Sequence, residues 1–234
     1  MKVLRYPHLF FDLDHTLWHF ESNKNAVLRL LWEAHVCRRT AALFEQFQES
    51  FDRHNEELWT RFRTGTISRA DLRYRRFARA LLDLKIPQQG LDEQLSVQFL
   101  DALPKQTALL PHAKEIVEYC AQRGHKLYVI TNGFEVTQRA KIERAGLGGF
   151  FEEIFSSEGC GYPKPHEAIF VAAQNFADAR PADCLMIGDS MEADIRGAQR
   201  AGWDQVYYNP ARTPHQDTPT YEIACLRELK DILE

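Results

Sequence analysis

Four short polar clusters in the sequence carry side chains that can do chemistry. The first is the segment DLDHT, in which Asp12 and Asp14 close an apolar run and project toward the same side of the predicted strand end. Two carboxylates this close repel each other unless a cation or a shared proton relieves the repulsion. A hard divalent ion with oxygen ligands is the natural remedy, and Mg2+ meets that requirement. The alternative is a pair of acids that ends a strand in solvent.

The second and third clusters carry groups suited to binding an anion. Thr131, Asn132 and Gly133 follow the segment KLYVIT at a strand-to-helix turn, where free backbone N–H groups at the helix start add to a hydroxyl and an amide. Lys164 stands between two prolines, which stiffen the backbone on both sides of its ammonium group. A fixed lysine indicates a phosphate or carboxylate partner, although a capped turn and an exposed lysine explain either cluster taken alone.

The fourth cluster is the segment GDSMEAD, which follows the apolar segment CLMI. Asp189 can reach a metal ion at the edge of the sheet, and Asp194 lies on the first turns of the following helix, where it can support that ion. Acids at a helix start also interact favourably with the helix dipole, which is the purely structural alternative. Because ligand sites of open α/β sheets lie beyond the carboxyl ends of the strands, all four clusters stand where such a site forms.

Strands and helices alternate in the part of the chain that carries these clusters. The alternation predicts βαβ units and therefore an α/β fold, a doubly wound parallel sheet with helices on both faces. The predicted strands are Leu4–Leu13, Lys126–Thr131, Glu153–Ser156, Cys184–Ile187 and Gln205–Tyr208. The predicted helices of this part are His112–Gln122, Phe134–Ala145, Pro165–Phe176, Met191–Ala201 and Leu226–Leu233.

A helical insert separates the first strand from the rest of this fold. Residues 17–104 carry apolar side chains at helical spacing and almost no strand-like run, and Ser68 is predicted to be an N-cap with Asp71 as its capping-box partner. We expect a discontinuous α/β core of residues 1–16 and 105–234, with the all-α insert lying over the ligand site as a lid. The helices of the insert are predicted at Asn23–His35, Ala41–Phe62 and Arg69–Leu84.

The composition restricts the class of protein. The chain has 234 residues, 44% of them hydrophobic, so it has enough apolar material for a core and is not a low-complexity sequence. Its formal net charge of −4 speaks against binding a nucleic-acid polymer, and no apolar run is long enough for a membrane span. Five widely spaced cysteines without a CxxC pair indicate reduced thiols. We expect a cytoplasmic monomer or homodimer.

In this order, the four clusters resemble the motifs of the haloacid dehalogenase (HAD) superfamily of phosphohydrolases. The resemblance covers essentially the whole chain, with DLDHT, TNG, Lys164 and GDSMEAD as its four motifs, and the insert is similar to the C1-type cap of that superfamily. It implies a Rossmann-like core and a Mg2+-dependent phosphomonoester hydrolase that forms an aspartyl-phosphate. The dehalogenases of the superfamily place an aromatic residue where Asp14 stands, so the aspartate here favours phosphoryl transfer.

The resemblance also implies a role for each motif residue. Asp12 would be the nucleophile that attacks phosphorus. Asp14 would protonate the leaving oxygen and then activate the hydrolytic water. Thr131 and the backbone N–H of Asn132 would hold phosphate oxygens, and Lys164 would balance the charge of Asp12 and the phosphate.

The metal ligands follow from the same resemblance. Asp12, the backbone carbonyl of Asp14 and Asp189 would bind Mg2+, and Asp194 would support the ion from behind these ligands. This set is physically reasonable, because a carboxylate nucleophile facing a phosphate dianion needs counter-charge.

The residues directly after the first motif are similar to those of house-cleaning pyrimidine 5′-nucleotidases, one branch of the superfamily. By that resemblance the substrate would be a small phosphorylated metabolite, a nucleoside 5′-monophosphate. Trp18, Phe20, Trp59 and Phe62 are candidates to stack on its base, and the alternative is that they pack the core of the insert.

Other functions stay open at this point. The same aspartyl-phosphate chemistry serves sugar-phosphate phosphatases, phosphoglycolate phosphatases and phosphomutases. A non-catalytic binding protein with the HAD fold is the alternative from another class. Such a protein would be expected to lack an acid at position 12, 14 or 189, and all three acids are present.

Overall fold

The computed structural model describes residues 4–234, which form two compact units. One unit contains the described residues up to Phe20 together with Gln106–Glu234, and the other is Glu21–Lys105. The sequence analysis placed the first boundary four residues earlier, after residue 16. The residues in between belong to the first unit because their backbone pairs with the chain after Lys105. The hydrogen bonds run from His19 N–H to Ala108 O (3.0 Å) and from Leu110 N–H to Leu17 O (2.9 Å).

Helices make up the second unit. They are α1 (Phe20–Leu31, the first residue of which belongs to the first unit), α2 (Phe44–Arg63), α3 (Arg69–Asp83) and α4 (Leu91–Ala102). Apolar residues at helical spacing meet in its interior, where the rings of Phe51, Phe77 and Phe99 lie 4.8–5.5 Å apart and are at most 1% exposed. The predicted capping box starts α3, with the Ser68 hydroxyl accepting from the Asp71 N–H and the Asp71 carboxylate accepting from the Ser68 N–H.

The helical unit differs from the sequence expectation in several details, among them the start of α2 at Phe44 in place of Ala41. Helix α1 begins three residues earlier than predicted and continues as a π-helix over Trp32–Val36. Helix α4 follows Gly90, which adopts a left-handed conformation (φ 83°) that glycine tolerates best. The sequence analysis included this segment in the helical insert without assigning a separate helix to it.

The first unit contains a six-stranded sheet in which every neighbouring pair is parallel. The strands are β1 (His8–Phe11), β2 (Lys126–Thr131), β3 (Phe151–Ser156), β4 (Cys184–Gly188), β5 (Asp204–Tyr208) and β6 (Tyr221–Ile223). Their order across the sheet is β3-β2-β1-β4-β5-β6. Strand β1 is shorter at both ends than the predicted Leu4–Leu13, although the Asp12 N–H still donates to the carbonyl oxygen of Ile187 on β4 (2.9 Å). Strand β6 was not predicted, since three residues after a proline-containing loop leave almost no pattern to detect.

Helices flank this sheet, so the predicted fold class, a parallel α/β core, is confirmed. They are α5 (Ala113–Gln122), α6 (Glu135–Arg144), α7 (Ser157–Cys160), α8 (Glu167–Phe176), α9 (Gly197–Arg200) and α10 (Leu229–Leu233). The helix predicted over Met191–Ala201 is divided into a π-helix, Met191–Arg196, and the short α9. Among residues 4–234, no helix combines the length and apolarity needed to cross a membrane.

The core of the sheet explains how the polar clusters reach one edge. Phe10, Tyr128 and Met186 occupy one row of β1, β2 and β4 and are at most 2% exposed, packed with residues of α8. Strand β1 lies between β2 and β4, and all three run in the same direction. The residues that follow their carboxyl ends therefore stand side by side.

Candidate active site

The centre of the site is a buried lysine between two aspartates. The Nζ atom of Lys164 lies 2.5 Å from Oδ1 of Asp12 and 2.7 Å from Oδ1 of Asp194, and it also donates to the carbonyl oxygen of Ile130 (2.7 Å). Lys164 is 2% exposed and Asp194 1% exposed. An ammonium group buried to this degree requires acceptors, and these three oxygens provide them. Two predicted motifs 152 residues apart are therefore in direct contact.

The same burial shifts the protonation equilibria of the acids. Burial raises the pKa of the Asp12 carboxyl well above its usual range, with Lys164 opposing the shift and Asp194 adding to it. Burial and the neighbouring Asp194 raise the pKa of Asp189 to about 7, against the opposing effects of Thr16 and Lys164. Burial lowers the pKa of Lys164, but Asp12 and Asp194 outweigh it, so this pKa is raised. The site thus holds more negative groups than Lys164 alone can neutralise.

The donor set fits a hard divalent cation. Asp12, Asp189 and Asp194 each offer one carboxylate oxygen, and these oxygens lie within 4.8 Å of one another. Three carboxylates face a single ammonium group, so a doubly charged ion would relieve their repulsion. The sequence analysis gave Asp194 a supporting role, and in the structure its Oδ1 contacts Nζ of Lys164. The side chain of Asp14 is not one of these three carboxylates and contacts Lys141 instead.

Hydrogen bonds from one hydroxyl and one backbone N–H hold Asp189 and Asp194 in place. The Thr16 hydroxyl, fully buried, donates to Oδ1 of Asp189 (3.1 Å), and the Ser190 N–H donates to Oδ2 of Asp194 (3.0 Å). A side chain on Gly188 would overlap the Asp194 carboxylate, so only glycine leaves room for it at the end of β4. The glycine of the segment GDSMEAD therefore has a packing reason.

Asn132 contacts the lysine loop through its side chain. Its Oδ1 accepts from the Lys164 N–H (2.7 Å), and its Nδ2 donates to the Lys164 carbonyl oxygen (2.9 Å). The sequence analysis treated the backbone N–H and the side-chain amide of Asn132 as groups for binding an anion. The structure adds a second task, because this pair of bonds fixes the backbone of Lys164 next to the end of β2.

Two residues that the sequence analysis missed surround Asp14. The Nζ atom of Lys141 lies 2.6 and 2.8 Å from the two carboxylate oxygens of Asp14. The Nε2 atom of Gln138 donates to Oδ2 of Asp14 (2.9 Å) and to Oγ1 of Thr131 (2.7 Å). Both residues are on α6, one turn apart and at most 2% exposed. Their spacing of three residues was the available signal, but a polar pair on a helix has no distinctive pattern.

The aromatic candidates lie in two different units. Trp18 is fully buried in the first unit with its ring 4.3 Å from Nζ of Lys141, so it has no exposed face for a base to stack on. Phe20 is half-buried, and its ring lies 4.9 Å from that of His15. In the helical unit, Trp59 and Phe62 are half-buried and contact each other edge-to-face, 5.8 Å between centroids.

Comparisons with known proteins place the chain in a family. A model of the haloacid dehalogenase-like hydrolases matches residues 6–202. The chain is 32% identical to the pyrimidine 5′-nucleotidase PynA of Streptococcus pneumoniae, over 98% of this chain and 95% of PynA. It is 30% identical to the ribulose-1,5-bisphosphate 5-phosphatase of Halopiger xanaduensis, over 96% and 98% of the two chains.

A solved structure supports the same conclusion. The HAD-hydrolase YfnB of Bacillus subtilis, crystallised with magnesium, superposes with a TM-score of 0.87 at 31% identity, over 98% of this chain and 99% of YfnB. The family and the enzyme class predicted from the four motifs are confirmed. The chain belongs to the haloacid dehalogenase-like hydrolases.

Proposed function

We propose that this chain is a Mg2+-dependent phosphomonoester hydrolase that acts through an aspartyl-phosphate on Asp12. The observation that carries the proposal is the contact of Asp12 with Lys164 beside two further acids. A nucleophile, a fixed cation and a set of oxygen ligands for a divalent ion stand together at the carboxyl ends of β1 and β4. This combination suits the attack of a carboxylate on a phosphate dianion.

The residues divide the reaction into two steps. In the first, a carboxylate oxygen of Asp12 bonds to phosphorus, the bond to the alcohol oxygen breaks, and Asp14 supplies the proton that the alcohol needs. In the second, Asp14 takes a proton from water, the water oxygen bonds to phosphorus, and the acyl-phosphate bond to Asp12 breaks. Thr131 and the N–H of Asn132 hold phosphate oxygens, and Lys164 stabilises the added negative charge. Asp12, Asp189 and the backbone carbonyl of Asp14 would hold Mg2+, which would supply further positive charge.

The proposed substrates are nucleoside 5′-monophosphates. The support is the similarity of the residues after the first motif to pyrimidine 5′-nucleotidases and the match to PynA over nearly the whole chain. The equally extensive match to a ribulose bisphosphate phosphatase makes sugar phosphates the alternative class. In both cases the substrate is a small phosphorylated metabolite.

A phosphate-release screen tests the proposal. The purified chain with Mg2+ is offered nucleoside monophosphates, sugar phosphates and phosphoglycolate, and Asp12→Asn provides the background from contaminating phosphatases. Preferential release of phosphate from UMP- or TMP-like compounds supports the nucleotidase. Preference for a sugar phosphate replaces the substrate class but keeps the reaction. An isomerised phosphate ester without free phosphate indicates a mutase, and no turnover of any ester contradicts the proposal.

A further inference from the structure

Asp14, the candidate for general acid and base, forms an ion pair with Lys141. Lys141 contacts both carboxylate oxygens of Asp14, at 2.6 and 2.8 Å, although the two residues are 127 positions apart. The side chain of Lys141 is 3% exposed, whereas that of Asp14 is 24% exposed. The lysine is thus part of the interior, whereas the carboxylate is partly exposed to solvent.

Aromatic rings fix the position of this lysine. Its Nζ atom lies 4.3 Å from the ring centre of Trp18 and 5.7 Å from that of Phe20. The Trp18 ring is itself held by a hydrogen bond from its Nε1 to the carbonyl oxygen of Gln106 (3.3 Å). Ring faces attract a cation but leave its N–H donors unused, so the donors of Lys141 remain directed at Asp14. The ammonium group is therefore a rigid reference point for the carboxylate.

Gln138 connects the same carboxylate to the phosphate-binding candidate. Its Nε2 lies 2.9 Å from Oδ2 of Asp14 and 2.7 Å from Oγ1 of Thr131. Gly133 leaves the space that the Gln138 side chain occupies, since a Cβ at that position would overlap it. The Thr131 hydroxyl also accepts from the Gly133 N–H (3.0 Å). One amide group thus sets the distance between Asp14 and the place where a phosphate oxygen would bind.

We propose that Lys141 and Gln138 are positioning residues that orient the Asp14 carboxylate as the base for hydrolysis of the phosphoenzyme. This inference rests on the proposed function and deepens it, because it gives Lys141 and Gln138, both on α6, a role in hydrolysis of the phosphoenzyme. In that step a water O–H bond breaks and its proton goes to a carboxylate oxygen of Asp14. The water oxygen bonds to phosphorus, and the electron pair of the broken P–O bond returns to Asp12.

Formation and hydrolysis of the phosphoenzyme should respond differently to the loss of Lys141. With p-nitrophenyl phosphate the leaving group departs as a stabilised anion, so formation of the phosphoenzyme needs little help from Asp14. Hydrolysis of the phosphoenzyme still needs an oriented base, and a misplaced base costs about 10²-fold in rate. Loss of Lys141 should therefore lower kcat and leave kcat/KM for this substrate nearly unchanged.

The experiment is stopped-flow and steady-state kinetics with p-nitrophenyl phosphate and Mg2+. In Lys141→Met we expect a burst of p-nitrophenolate of about one equivalent per site, then a kcat about 10²-fold below wild type, with kcat/KM within about threefold. Gln138→Leu should show the same split with a smaller effect, and Lys141→Arg should recover at least about tenfold of the lost kcat. Lys114→Met, an exposed lysine on α5, should behave as wild type.

Each other outcome contradicts the inference or the proposed function separately. If kcat and kcat/KM of Lys141→Met fall together without a burst, or if neither changes, Lys141 does not position the base. If the wild-type chain releases no p-nitrophenolate, the proposed function fails instead. A crystal structure of Lys141→Met then tests positioning without activity: an Asp14 side chain in its original orientation overturns the inference, and a displaced one supports it. Urea unfolding of each variant confirms that the fold is intact.

Discussion

Nζ of Lys164 lies 2.5 Å from Oδ1 of Asp12, and this contact joins the loop before α8 to the end of β1. The two side chains are almost fully buried, and Asp194 contacts the same ammonium group from the other side. The nucleophile candidate is therefore oriented before any substrate is present. Such preorganisation reduces the reorganisation needed when charge develops on the phosphate.

Replacement of the nucleophile should abolish turnover without unfolding the chain. Asn at position 12 keeps an oxygen that can accept from Lys164 but cannot form an acyl-phosphate. We expect Asp12→Asn to lose at least about 10⁴-fold in phosphate release, as for other covalent nucleophiles. Activity near that of wild type, measured on a preparation with the wild-type thermal unfolding profile, would exclude Asp12 as the nucleophile.

Removal of the buried cation should cost stability. Lys164→Met leaves Asp12 and Asp194 buried without their shared partner, and breaking a buried ion pair from one side costs about 3–5 kcal/mol. Urea unfolding at neutral pH without metal measures the free energy of unfolding. The matched control is Lys114→Met, whose lysine is 55% exposed and lies 3.9 Å from Glu118, and which should change stability by less than about 0.5 kcal/mol. Equal effects of the two variants would contradict the role of Lys164 as the counter-charge.

Mg2+ binding should depend on pH. The metal-free folded chain has raised pKa values at Asp12 and at Asp189, the latter at about 7. Between the unfolded pKa near 4 and these folded values, the folded state binds more protons than the unfolded state, so metal-free stability falls as pH rises through that window. Protons also compete with the metal for the same oxygens. The rise in Tm caused by Mg2+ should therefore be larger at pH 8 than at pH 6.

Two further experiments test whether these carboxyl groups bind Mg2+ and whether the activity needs it. Asp189→Asn removes one ligand and should reduce the Mg2+-induced rise in Tm at both pH values. Chelation by EDTA should remove phosphatase activity, and added Mg2+ should restore it. A Tm rise of equal size at pH 6 and pH 8 would show that the carboxyl groups with raised pKa values, Asp12 and Asp189, do not bind the ion.

The N-cap of α3 should contribute measurably to stability. Ser68→Ala removes the oxygen that accepts from the Asp71 N–H, and loss of an N-cap costs about 1 kcal/mol. Ser68→Thr keeps a hydroxyl at this position and should retain most of that free energy. The comparison is made by urea unfolding of the three proteins, and a Ser68→Ala variant as stable as wild type would show that the capping box is without energetic effect.

Local pattern was sufficient for much of this fold. The apolar runs of β2 and β4 and the capping box of α3 depend on neighbouring residues, so they could be predicted from the chain alone. Motif spacing also led to Asp12, Lys164 and Asp189 as members of one site. Element ends were less accurate: β1 is shorter than predicted at both ends, and α1 passes into a π-helix.

The amino-acid order alone therefore specifies the alternation of strands and helices, the family and the acids and lysine of the site. It does not specify that Lys141 holds Asp14, that Asn132 clamps the Lys164 backbone, or that Trp18 is buried beneath a cation. These contacts join residues far apart in the chain, and each depends on the packing of α6 and of the loops against the sheet. Periodicity reports which face of an element is buried, whereas the partner of a polar side chain is set by three-dimensional proximity.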